Sequence, residues 1–102
     1  MKDRKIKIDG VPYQVKYVDH IDCDNPEHYC FGKNNNIYKH ILVNTKRPDG
    51  SNNTELDMEL TYLHELVHAI LNQGQYWNEF DNEAFVEYMA KRLYELKKQN
   101  AL

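Results

Sequence analysis

Between Thr54 and Gly74 the sequence carries two helical patterns at once. Leu56, Leu60, Leu63, Val67 and Ile70 recur three and four residues apart, which lays one apolar stripe along a helix. Thr61, His64, Glu65, His68 and Asn72 recur with the same spacing and form a polar seam beside that stripe. Such a helix must lie against a core on one side and hold a row of polar groups at the core's margin. Keeping polar side chains there is costly unless they are paired or used. Its ends are marked as well. Thr54 supplies an N-cap, Glu55 and Asp57 suit the positive end of the helix dipole, and Gly74 supplies a stop.

Two histidines four apart on a helix lie one above the other, so His64 and His68 can reach one ion. Glu65 follows the first histidine directly, where its carboxylate can reach a water on that ion. This H-E-x-x-H spacing is that of a zinc hydrolase with the glutamate as general base. A catalytic zinc usually takes a third protein ligand and leaves one position open. Glu79, Glu83 and Glu87 stand four apart, on a last helix read as running from Asn78 to about Gln99, and Asp81 is a further acidic candidate. Glu83 is placed best, because a reversal after Gly74 returns it opposite the two histidines. The expected metal set is therefore His64, His68 and Glu83 around Zn2+, with Glu65 catalytic. Glu87, one turn further on, is expected to accept a hydrogen bond from a ligand histidine's other nitrogen.

The rest of the chain reads as the sheet of a small α+β domain spanning residues 1–102. Asp9-Gly10 between two alternating segments, 5–9 and 11–18, is a hairpin signal, and Pro12 marks the start of the second strand as an edge. A polar loop follows, then a short strand near Tyr29–Lys33, then a strand over 37–44. The expected product is a three- or four-stranded antiparallel sheet packed on two C-terminal helices. Val86, Met89, Leu93 and Leu96 would form the last helix's core stripe, with help from Phe85.

Composition excludes some classes of partner. The 102 residues carry a net charge of -3, with basic residues scattered along the chain, so no nucleic-acid partner is expected. No apolar run approaches the ~20 residues of a membrane span. The start of the chain is charged without a following apolar signal segment. Cys23 and Cys30 are too few for a secreted disulfide scaffold and read as reduced thiols, which points to the cytoplasm. His20, Cys23, His28 and Cys30 share the polar loop, but their spacing matches no structural zinc site.

His64-Glu65-Leu66-Val67-His68 followed by Asn82-Glu83-Ala84-Phe85-Val86-Glu87 resembles the gluzincin pattern. The order of sheet and helices resembles the minimal zincin-like metallopeptidases of bacteria and phages, related to the ImmA/IrrE family. The specific part covers residues 54–93. It implies that His64, His68 and Glu83 hold zinc, that Glu65 is the base, and that Glu87 supports a ligand. Where better-known gluzincins have aspartate, this chain has Glu87. The implied activity is hydrolysis of peptide bonds in a protein or peptide substrate by a Glu65-activated, zinc-bound water, with regulatory proteins as one class of target. Tyr62, Tyr76 and Tyr88 are candidate oxyanion donors, and the 37–44 strand is a candidate edge for an extended substrate. Two other readings are a zinc-stabilised interaction module without turnover and a metal-free binding protein.

Overall fold

The computed structural model describes residues 1–102, arranged as β1 (Arg4–Ile8), β2 (Val11–Val18), β3 (Gly32–Asn35), β4 (His40–Asn44), α1 (Glu55–Gln73), α2 (Trp77–Phe80) and α3 (Glu83–Lys98). The architecture is α+β, with a four-stranded N-terminal sheet followed by the helices. Asp9 and Gly10 both take positive φ, 52° and 75°, the backbone of a two-residue hairpin turn joining β1 to β2. Pro12 lies opposite Lys7 of β1, while pairing of β2 with β4 begins only at Gln14, so the missing amide falls on an unpaired side.

The sheet is mixed rather than wholly antiparallel. Its order is β1-β2-β4-β3, and the two hairpins join through β2 and β4, which run parallel from Gln14↔His40 to Val18↔Asn44. The long connection after β2 carries β3 to the far side, so β4 is an inner strand. Residues 37–44 therefore offer no edge to a substrate: the strand starts at His40, and both of its sides are taken. The free edge near the helices belongs to β3.

Thr54 caps α1 by accepting a hydrogen bond from the Asp57 amide, and the helix ends at Gly74. Its buried face is rotated from the expected stripe. Met58, Tyr62, Leu63, Val67 and Ala69 are buried, whereas Leu56 and Ile70 are 49% and 45% exposed. They join Tyr13, Val15, Ile41 and Val43 of the sheet and Val86 and Ala90 of α3 in one core. The last helix is also shorter than its pattern suggested. Asn82 accepts a hydrogen bond from the Phe85 amide at 3.0 Å, starting α3 afresh and leaving Glu79 and Asp81 outside it.

Cys23 and Cys30 are bonded to one another, with Cα atoms 5.9 Å apart, which corrects their reading as reduced thiols. Cysteine usage thus carries no argument for a reducing compartment. No helix is long and apolar enough to cross a membrane.

Candidate metal centre

α1 and α3 lie side by side, and this brings His64, His68 and Glu83 together. Glu83 Oε2 is 3.0 Å from His64 Nε2, and Glu83 Oε1 is 3.0 Å from His68 Nε2. One ligand atom from each of the three lies within 4.8 Å of the others. The arrangement follows from local causes. Four-residue spacing stacks the imidazoles, whose centroids are 5.0 Å apart, and the Asn82 cap places Glu83 in the first turn of α3, where the helix dipole favours an acid. Glu87, one turn on, lies 2.9 Å from His64 Nδ1. Glu79 takes no part, and Asp81 shares a smaller hollow with Glu65, His68 and Glu83 without joining the cluster.

The donor set suits a borderline metal such as zinc. Bonds of ~2.0–2.1 Å at tetrahedral angles put zinc's donors about 3.3 Å apart; Glu83 stands 3.0 Å from each ring through a different oxygen, and one donor atom from each residue lies within 4.8 Å of the others. A neutral imidazole has a single N–H. With that proton on Nδ1 and donated to Glu87, His64 Nε2 presents a lone pair on the side of His68 and Glu83. His68 is 7% exposed, with its ring edge-on to Phe80 at 4.9 Å. Its Nδ1 is buried without a hydrogen-bond partner. Burial holds His68 below the usual imidazole pKa against the pull of Glu83, while His64 adds to the lowering.

Glu65 lines the same groove. Its carboxyl is pushed up to about 7, chiefly by burial, against the pull of His64 and with a smaller push from Glu83. A carboxylate with such a pKa is matched to proton exchange near neutrality. The groove, of about 640 Å³, runs between α1 and the segment leading into β3, with Tyr29, Phe31 and Gly32 on one wall and Leu60, Thr61 and Glu87 on the other.

Gly32 makes this closeness to α1 achievable. A Cβ there would meet Thr61 Cγ2 at 2.5 Å and Glu65 Cγ at 2.9 Å. Phe31 C=O accepts from Asn44 N at 2.7 Å, so by the alternation of antiparallel pairs the backbone groups of Gly32 and Asn34 face the free edge. Sequence reasoning missed Tyr29, Phe31 and Gly32. An isolated glycine opening a strand was the one signal that another element comes close there.

The proposed oxyanion donors are elsewhere. Tyr62 is buried beneath the Arg4 guanidinium, 4.4 Å from its ring centroid, and neither Tyr76 nor Tyr88 lines the groove. Tyr29 does line it, but its hydroxyl donates to the Lys46 carbonyl. No protein-family model matches the chain, and it has no significant similarity to a curated protein or to a solved structure. The gluzincin resemblance therefore rests on the motif residues themselves.

Proposed function

We propose that this chain is a zinc-dependent peptide hydrolase in which His64, His68 and Glu83 hold the metal and Glu65 is the base. The observation that carries the reading is the single carboxylate of Glu83 meeting both Nε2 atoms in the groove that Glu65 lines. A bound zinc would serve as a Lewis acid, acidifying a water and polarising the scissile carbonyl. Glu65 takes a proton from the attacking water as its oxygen joins the carbonyl carbon. It then passes that proton to the amine nitrogen as the C–N bond breaks. Glu87 fixes the His64 ring and its tautomer through Nδ1. The outward backbone groups of Gly32 and Asn34 suit an extended peptide laid along β3.

A zinc-stabilised module without turnover would call for a fourth protein ligand. Against it, Cys23 and Cys30 are consumed by their own bond, and the cluster draws in no fourth acid, cysteine or histidine. The test has two stages. Zinc titration of wild type should give one tight site that His64→Ala removes; a wild type that binds no zinc overturns the proposal. A proteome incubated with the zinc-loaded protein should then show new chain termini that vanish with chelator and with Glu65→Gln. Equal cleavage by Glu65→Gln would remove the base assignment.

A further inference from the structure

The four strands contain Arg4, Lys5, Lys7, Lys16 and Lys33, and not one of the chain's 16 aspartates and glutamates. Strand alternation sorts these cations. Ile6, Ile8, Tyr13, Val15, Ile41 and Val43 pack into the core on the helix side, so Lys5, Lys7, Lys16, Lys33 and His40 stand on the other face. No helix covers that face: only α1 contacts the sheet, while α2 and α3 rest on α1 and each other. Lysines scattered at positions 5, 7, 16 and 33 of the sequence are gathered by the fold onto one surface.

The register fixes their layout. Lys5, Gln14, His40 and Asn35 form one row across the strands, and Lys16, Leu42 and Lys33 form the next. Lys5 and Lys7 lie about 6.8 Å apart along β1, and Lys16 and Lys33 about 10 Å apart across Leu42. Lys5, Lys7 and Lys16 are exposed and have no carboxylate partner. Lys33 is tied at the margin to the Asp22 carbonyl and Asp24, and Asp3, which shares a hollow with Lys5 and Lys16, accepts the Tyr17 amide through Oδ1. In the turn that joins β3 to β4, the 75% exposed ring of Tyr38 lies roughly parallel to that of His40, with centroids 6.1 Å apart and planes 27° apart. Burial, then Lys16 and Lys33, hold His40 below its usual pKa.

We propose that this outer sheet face binds single-stranded nucleic acid, with phosphates against Lys5, Lys7 and Lys16 and a base on the Tyr38–His40 ring pair. Cations in rows along an open sheet suit a sugar–phosphate chain, and an exposed ring beside them offers a base a stacking partner. An anionic membrane or an acidic protein would use the charge and leave the ring pair without a role. The surface lies across the sheet from the metal cluster, so it stands independently of the hydrolase reading.

The test is fluorescence anisotropy of a labelled oligothymidylate of roughly 12 nucleotides. Three neutralised phosphates on a single strand give a salt slope near -2, so binding should weaken about 20-fold between ~50 and ~200 mM salt. Lys5→Glu with Lys16→Glu should weaken it at least about tenfold at the lower salt, and Lys7→Gln alone should flatten the slope by about 0.7. Tyr38→Ala should weaken oligothymidylate binding while leaving competition by inorganic polyphosphate unchanged. All four positions are exposed, so unchanged melting confirms that the variants fold. The proposal is overturned by no binding at the lower salt, by equal binding of the charge-reversed variant, by duplex bound as tightly as single strand, or by anionic vesicles bound in place of the oligonucleotide.

Discussion

His64 Nδ1 and Glu87 Oε2 lie 2.9 Å apart, so a proton held on Nδ1 and donated to Glu87 leaves the Nε2 lone pair turned toward Glu83 and His68. Glu87 Oε1 is in turn 3.7 Å from Lys91 Nζ, which steadies the carboxylate from the solvent side. Supports of this kind are commonly worth about 10- to 100-fold in metal affinity. Glu87→Ala should therefore weaken zinc binding by that factor while leaving the three ligands in place. Competition against a chromophoric chelator measures it, and unchanged affinity would show that Glu87 does not orient the ring.

Gly32 is placed to test how the groove is built. An added methyl would overlap the Thr61 methyl and crowd the Glu65 side chain. Either the Thr61 side chain or β3 must give way. Overpacking of this sort typically costs about 1–3 kcal/mol. Gly32→Ala should lower the melting temperature accordingly, while zinc affinity should change less, since none of the three ligands touches the methyl. A variant as stable as wild type would mean that β3 and α1 do not meet as closely as described.

The legible parts of this molecule were the local ones. Asp9-Gly10 and Thr54 act on residues within a few positions of themselves, and each turned or capped the chain where its chemistry required; α1 does end at Gly74, but Gly74 stays right-handed at φ -83° and the positive φ, 65°, falls on Gln75. The histidine pair was legible for the same reason, and Glu83 because only a short reversal separates it from His68. What escaped depended on distant partners. The parallel pairing of β2 with β4 is set by where the long 19–31 loop delivers β3, and no residue of β4 encodes it. The expected stripe through Leu56 and Ile70 missed that the sheet approaches α1 from the Tyr62–Ala69 side. The split between α2 and α3 turned on the Asn82 side chain, which starts a helix more readily than it continues one. The basic face went unseen because a linear scan for clustered lysines ignores strand alternation.

The Cys23–Cys30 bond closes a short loop, with the two residues seven apart in sequence. For a loop of this length the chain-entropy argument gives about 2.5 kcal/mol of stabilisation, acting through the unfolded chain. The proposed ligands His64, His68 and Glu83 sit on α1 and α3, whereas Tyr29, Cys30 and Phe31 form the groove wall opposite. Reduction by a thiol, or Cys23→Ser with Cys30→Ser, should lower the melting temperature by roughly 10 °C or more while zinc affinity stays within about twofold. A large loss of zinc binding on reduction would mean that this wall is needed to hold the cluster together.

Glu65 gives the fold a pH dependence whose sign can be worked out for the metal-free protein. Its carboxyl titrates at about 7 in the folded chain, raised from 4.5, chiefly because burial disfavours the charge. Between these values the folded state holds a proton that the unfolded state has released, so stability falls as pH rises through the window and levels off above it. Glu65→Gln keeps the shape and cannot ionise. In the presence of EDTA the two proteins should have similar stability near pH 4, and the variant should become progressively more stable than wild type up to about pH 7. The gap is on the order of 3 kcal/mol at most, from a shift of that size. Denaturant melts at several pH values give the difference directly. A flat difference across this window would mean that Glu65 is solvated like an ordinary surface acid and is not poised to exchange a proton near neutrality.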